Sequence, residues 1–298
     1  MQKFLTHTTL ALGLSAGLAS PAFGVLLASD DFDGYTAGNL SGQTSTTATG
    51  FAGAWAAGSA NIQAESGGIL DGDPTNGQGR FIPVGQAFPA FRTNNNLLNP
   101  VGTPSNNTFY MSHLVNAGTS GGLPGEYAFT GFGSFVDAGR FEDATNFLLG
   151  AFTGFVIQDD DTVDLVIRSR TGALVPGAVT DEVLVEDAGG NTFNVVMALE
   201  FNNPGDEIRY WVNPTNFFDE STLTATAAIS GSIGGFQLGA ESDLNRLSVG
   251  TTFTNRSFFF DEALLGTESS DLGPIPEPTS LALLGLGGLA MLRRKARA

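Results

Sequence analysis

A retaining glycosidase needs two carboxylates about 5 Å apart, and a strand supplies them when Glu and Asp alternate along one face. The nearest string in this chain is Asp181-Glu182-Val183-Leu184-Val185-Glu186-Asp187. Glu182 and Glu186 share a face in it, but Leu184 stands between them and a polar turn follows. It reads as a solvated strand and hairpin. Gly118-Thr119-Ser120-Gly121-Gly122 matches the G-x-S-x-G of a nucleophile elbow by letter. An elbow needs a helix after it and a histidine base. Leu123-Pro124-Gly125 follows instead, and past His7 the chain has the single histidine His113. His113 alternates with Met111 and Val115 on a strand, as a packed or groove-lining imidazole does. One histidine and no cysteine make a poor zinc site. The run Asp159-Asp160-Asp161-Thr162-Val163-Asp164 lacks the glycine and closing glutamate of an EF-hand loop and reads as a hairpin tip. Trp55 and Trp211 have faces that suit a sugar ring, but tryptophan's apolar area places both in the core. No catalytic string emerges, and the expectation is that the chain is not an enzyme.

The elements that would position these residues are strands. Phe109, Met111, His113 and Val115 alternate with Tyr110, Ser112 and Leu114. Residues 147–157, 163–167, 193–201, 208–212 and 253–265 read the same way. Turn clusters separate them: Asn99-Pro100, Gly121-Gly122, Asp159 to Asp161, Gly189-Gly190-Asn191, Asn203-Pro204-Gly205 and Asn213-Pro214. No stretch of the body carries a 3.6-residue apolar period with caps. Forty glycines, 13 prolines and 24 phenylalanines in 298 residues suit many short strands around an aromatic core. The fold class expected is all-β, an antiparallel sandwich or barrel.

Charge narrows the partners. The chain carries 30 Asp and Glu against 13 Lys and Arg, a formal charge of −17. Residues 25–274 hold 29 of the acids, 8 arginines and no lysine. Nucleic acid and anionic lipid, which need a cationic face, are excluded as partners of that body. A catalytic lysine or Schiff base is impossible in it.

Both ends read as addresses. Residues 1–24 have a basic start at Lys3, an apolar stretch from Leu10 to Leu18, and small residues Ala22 and Gly24 ahead of a cut before Val25. That is a secretory signal peptide, which implies handling by the Sec export machinery. At the other end Pro276-Glu277-Pro278 precedes a Leu-, Ala- and Gly-rich run and then Arg293-Arg294-Lys295-Ala296-Arg297. From Ile275 to Leu292 the low-charge stretch would make about 27 Å of helix at ~1.5 Å per residue, marginal for a transmembrane helix. The terminal basic cluster would hold that end in the cytoplasm and leave the body outside. Gly285-Leu286-Gly287-Gly288-Leu289-Ala290 fits G-x-G-x-x-A by letter, but no strand precedes it and no ribose-binding acid follows.

The Pro-Glu-Pro triplet, apolar helix and Arg-rich end together resemble the PEP-CTERM sorting signal of bacterial exosortase systems. The resemblance implies that Pro276, Glu277 and Pro278, with Arg293 and Arg294, address the chain to an exosortase-type membrane protease. The protein would stay membrane-anchored through the C-terminal helix until processing, then pass to the cell surface or extracellular matrix. Within the body, Ser29-Asp30-Asp31-Phe32-Asp33-Gly34-Tyr35, Gly38 to Gln43, Gly50 to Trp55, Tyr210-Trp211-Val212-Asn213-Pro214 and Phe259 to Thr267 resemble the opening, middle and closing strands of concanavalin A-like (laminin-G-like) jelly rolls. The resemblance implies a β-sandwich over residues 25–266, flanked by the signal helix, a polar stalk at 267–275 and the sorting signal at 276–298. In β-glucanases of that fold a structural ion ties the first strand to the last, and the matching acids here are Asp31 and Asp261. No cofactor is expected beyond what this resemblance implies, a structural calcium at those two acids.

Three functions fit. The first is a non-catalytic surface protein that binds or organises extracellular polysaccharide. The second is a structural surface or biofilm-matrix protein without a specific ligand, and the third a divergent glycoside hydrolase.

Overall fold

In the computed structural model, the residues described are those from 24 to 273, excluding 52, 58–61, 67–76, 82–89, 94–106, 120, 137–146, 171–178, 203–204, 237–243 and 245. The segment read as a sorting signal and all but Gly24 of the segment read as a signal peptide lie outside them. Among them the chain forms, in order, β1 (Leu26–Asp30), β2 (Gly38–Asn39), β3 (Ala56–Ala57), β4 (Ile62–Ser66), β5 (Gly77–Phe81), β6 (Ala90–Thr93) and β7 (Thr108–Ala117). There follow β8 (Tyr127–Val136), β9 (Phe147–Gly150), β10 (Phe152–Ile157), β11 (Val163–Arg170), β12 (Val179–Val185), β13 (Thr192–Glu200) and β14 (Asp206–Val212). A short helix α1 (Glu220–Thr226) precedes β15 (Ile229–Phe236), β16 (Arg246–Thr251) and β17 (Phe258–Gly266).

The strands build two antiparallel sheets. The first runs β15-β14-β13-β7-β17-β5-β4-β2, with β1 also on β17; the second runs β12-β11-β10-β8-β16-β6-β3, with β9 also on β8. Alternation explains the layering. Met111 and Val115 of β7, Val195 and Met197 of β13, and Phe258, Phe260 and Leu265 of β17 meet Phe132 of β8, Phe155 of β10 and Leu247 and Val249 of β16 in one buried core. The fold is the expected antiparallel β-sandwich.

Physical details refine the strand reading. Residues 147–157 are two strands broken at Ala151, and both pair with β8. The run read as one strand over 253–265 is a strand only from Phe258. Its first residues carry the chain from β16 in one sheet to β17 in the other, so no ladder can form there. Thr251 Oγ1 accepts from the Phe253 amide at the start of that crossing.

Helix α1 was not legible as a period because two turns bury one residue, Leu223. Asp219 caps it, accepting from the Thr222 amide at 2.7 Å. The helix lies on the outer face of the first sheet, where Leu223 and Leu272 meet Val196, Ala198 and Trp211. Leu272 belongs to a 3-10 turn (Ser269–Leu272) in which Glu268 and Asp271 form a capping box. The first part of the segment read as a stalk is thus packed on the sandwich. No helix among the described residues is long and apolar enough to cross a membrane.

Candidate functional site

The two ends of the body are joined by strand pairing. β1 pairs antiparallel with β17, with Asp30 opposite Ala263, and β17 bulges between Asp261 and Leu264. Asp261 is buried and its Oδ1 accepts from the Glu262 amide at 2.9 Å. Asp31 turns to the neighbouring loop, where its Oδ1 accepts from Thr47 Oγ1 at 2.5 Å and from the Asp33 amide at 3.2 Å. Its neighbour Asp30 is the fully buried acid. Tyr35 donates to Asp30 Oδ2 at 2.6 Å and itself receives the Trp55 indole N–H at 2.8 Å. Among the described residues no three His, Cys, Asp or Glu side chains gather as a metal cluster. A cation here would therefore draw on two acids and backbone carbonyls.

The outer face of the second sheet holds a second constellation. Tyr127 and Phe129 of β8, Phe152 of β10 and Val166 of β11 form a buried patch apart from the main core. Arg168 of β11 lies over it, its guanidinium carbon 4.5 Å from the Tyr127 ring centre and 4.4 Å from that of Phe129. Asp181 of β12 sits directly opposite Arg168 in the ladder. It accepts from Nε and Nη2 at 2.6 Å each. The result is a planar, two-bonded ion pair clamped on aromatic rings, with side chains 11% and 28% exposed. Sequence reading missed it because the partners lie on different strands and only the β11–β12 register joins them. Arg168 is charged at an alternation point of an apolar strand, which was the one available signal.

The remaining candidates resolve individually. His113 is fully buried and stacks toward Phe132, ring centres 5.6 Å apart. Neither imidazole nitrogen has a hydrogen-bond partner among the described residues, and burial pushes its pKa down to about 3. Such an imidazole packs; it has nothing to abstract a proton from.

Both tryptophans are core, as expected. Trp55 is 1% exposed beside Phe32, and Trp211 donates to Thr224 of α1 at 2.9 Å. Asp160 caps its own hairpin tip by accepting from Thr162 Oγ1 at 2.6 Å. Glu182 lies in the edge strand β12, and Glu186 follows it in the exposed turn. Gly121 and Gly122 take positive φ in a loop, and Ser120 lies outside the described residues.

Arg256 is an unforeseen buried cation, 6% exposed. Its Nε donates to the Gly121 carbonyl at 2.8 Å and its Nη1 to the Gly118 carbonyl. It fastens that loop to the crossing before β17. Glu126 does the same from the other side, accepting from the Leu123 and Thr254 amides.

Beyond the sandwich, the chain carries a PEP-CTERM protein-sorting motif at residues 274–297. Pro276, Glu277, Pro278, Arg293 and Arg294 all fall inside it. No curated protein matches the chain. Solved structures share its outline at low identity. A carbohydrate esterase of the Shiga toxin-encoding bacteriophage phi24B is 11% identical over 83% of this chain and 100% of its own, with a TM-score of 0.45. The globular domain of T. cruzi calreticulin is 9% identical over 82% and 89%, at 0.44. The CBM2 module of the evolved Dit of Lactobacillus casei BL23 phage J-1 is 11% identical over 83% and 96%, at 0.39. At these identities and scores the likeness says nothing about ligand or activity.

Proposed function

We propose that this protein is an exported, non-catalytic surface protein whose sandwich binds or organises extracellular polysaccharide. The PEP-CTERM motif at residues 274–297 carries the reading. Such a motif implies export, anchoring at the C-terminal end and processing by an exosortase-type protease. Ala22 and Gly24 before Val25 would mark the earlier cut after Sec-dependent export. The ligand half of the reading draws on the Arg168–Asp181 pair. Vicinal sugar hydroxyls are matched by a carboxylate and a guanidinium held side by side, and a pair immobilised on two rings loses little entropy on binding. A structural calcium at Asp31 and Asp261, supplemented by backbone carbonyls, belongs to the same proposal and would staple the first strand to the last.

One observation favours the second reading, a matrix protein without a small ligand. The body's 29 acids against 8 arginines keep copies apart and hydrated, which bulk surface coating requires and ligand recognition does not.

A glycan screen of the purified protein, with calcium and then with chelator, separates them. Saturable binding to one polysaccharide class that weakens at least about tenfold in Asp181→Asn, equal to ~1.4 kcal/mol, is the expected result. A fall in melting temperature under chelator would support the calcium staple. Silence across the screen from protein with an intact thermal transition would refute the polysaccharide reading and leave the matrix role. Release of reducing ends would instead establish a hydrolase.

A further inference from the structure

The opening of β1 and the turn after β17 lie side by side. Leu26 pairs with Gly266, and just beyond that pair the Val25 N–H donates to Thr267 Oγ1 at 2.9 Å. The Thr267 N–H donates to the Val25 carbonyl at 3.2 Å. Asp271, in the 3-10 turn Ser269–Leu272, reaches back to the same place. Its Oδ2 accepts from the Thr267 and Glu268 amides at 2.9 Å each and lies 3.5 Å from Thr267 Oγ1. Gly24 and Gly266 flank this side chain, and a β-carbon on either would collide with it. Glycine at 24 suits a signal-peptide cut by being small. In the fold the same missing side chain lets a carboxylate come up to the backbone, two bonds from Val25 N.

We propose that Asp271 is the docking site for the α-ammonium group of the mature chain, which the cut before Val25 creates. The proposal rests on the signal-peptide reading of residues 1–24. In that cut water breaks the Gly24–Val25 amide. Its hydroxyl goes to the Gly24 carbonyl carbon and a proton to Val25 N, and the new carboxylic acid then gives its proton to the amine. Before the cut Val25 N has one proton, and Thr267 Oγ1 takes it. Afterwards it has three, enough for Thr267 and the carboxylate together, and removal of Gly24 opens the place beside Asp271.

Charge favours this partner. The body has 29 acids, 8 arginines and no lysine, so cations are scarce. None of the arginine ion pairs among the described residues uses Asp271. The sorting motif begins at residue 274, directly after this turn. The cut at the amino end thus completes the anchorage from which the sorting motif leaves the body.

The pair raises the pKa of the α-amine, so its stabilisation is full below about pH 7.7 and is lost as pH rises through the folded value. The surrounding charges are Glu268 on the same turn, Asp30 at the far end of β1, and Asp261 and Glu262 on β17. From the neighbouring elements come Tyr110 of β7, Glu220 of α1 and Arg209 of β14, joined through Glu220 at 2.6 and 2.8 Å. Burial and Glu220 hold the Tyr110 phenol protonated well beyond its usual range. With no lysine or cysteine in the body, the α-amine is its one group whose ordinary pKa falls between about 7 and 9.5. Val25 is 56% exposed, so water screens the pair. The shift is accordingly about half a unit, a factor of roughly three in free amine at neutral pH.

The exported full-length protein is purified, and the mass of its first peptide shows where it begins. An amine-acylating reagent is then applied at neutral pH. Lys3 leaves with residues 1–24 and Lys295 falls in a separate peptide, so labelling of Val25 is read alone. The expected result is acylation of Val25 about threefold slower in the folded wild type than in Asp271→Asn, with the difference gone in urea. In the wild type alone, the pKa read from rate against pH should stand about half a unit above its value in urea, which makes the test independent of how the variant folds. Equal rates in the two folded proteins, or one pKa in folded and unfolded wild type, overturn the proposal. A mature chain that begins elsewhere refutes the signal-peptide reading and the proposal with it, and the mass shows this before any labelling.

Discussion

His113 should make this protein's stability fall with acid in a way that one substitution removes. The imidazole is fully buried against Phe132, and burial lowers its pKa from 6.5 to about 3. The unfolded chain takes up a proton as pH drops through 6.5, whereas the folded chain refuses it until about 3. Stability is therefore lost progressively between those values and is unaffected by this group above them. Linkage gives a loss of about 2 kcal/mol at pH 5 and roughly 3 kcal/mol at pH 4, relative to pH 8. His113→Leu replaces the imidazole by an apolar side chain of similar size. It removes two unpartnered nitrogens from the core, so at pH 7 it should be neutral or stabilising. Urea unfolding of both proteins at pH 7 and pH 5 checks the difference of differences. Carboxylates that also titrate, such as Glu200, held below the usual range by hydrogen bonds from Asn202 and Arg209, are common to both proteins and cancel. The expected residual is about 2 kcal/mol. Parallel pH dependences in the two proteins would refute the reasoning and mean that the ring reaches a proton acceptor or water in the folded state.

Asp219→Ala removes the side chain that accepts from the first turn of α1 and should lower the midpoint of chemical denaturation, with Asp219→Asn restoring most of it. Gly79→Ala should be worse than an ordinary strand substitution, because its Cβ would come within 2.2 Å of the Phe260 ring. That ring is fixed by Phe32 at 5.1 Å and Phe258 at 5.7 Å. A loss of roughly 1–3 kcal/mol is expected from overpacking. A thermal melt no lower than wild type would mean that the Phe260 corner can give.

Alternation is a local property, so it survives in the sequence. The period-2 pattern at Phe109 to Val115, the Asp159–Asp161 tip and the Gly189–Asn191 turn each depend on residues close together in the chain, and each stands where the pattern put it. Burial of the two tryptophans follows from their area alone. The sorting motif is legible for a related reason. It is read as a linear string by cellular machinery, so it needs no fold to be recognised.

What depends on register between distant segments was not legible. Arg168 and Asp181 become a clamp only because the β11–β12 ladder sets them opposite each other. Asp30 rather than Asp31 becomes the buried acid because a strand turns successive side chains to opposite faces, and pairing with β17 decides which face is inside. The length of β17 was overread since alternation continues through a crossing where no partner strand exists. The position of β15 at the end of the first sheet is the clearest case. Its composition was visible from the start, but whether a strand is an edge is decided by which strands pair, and that is a property of the whole sheet. Local chemistry wrote the strands, turns and address; the pairing order alone determined which acids are buried, which cation is clamped and which strand ends the sheet.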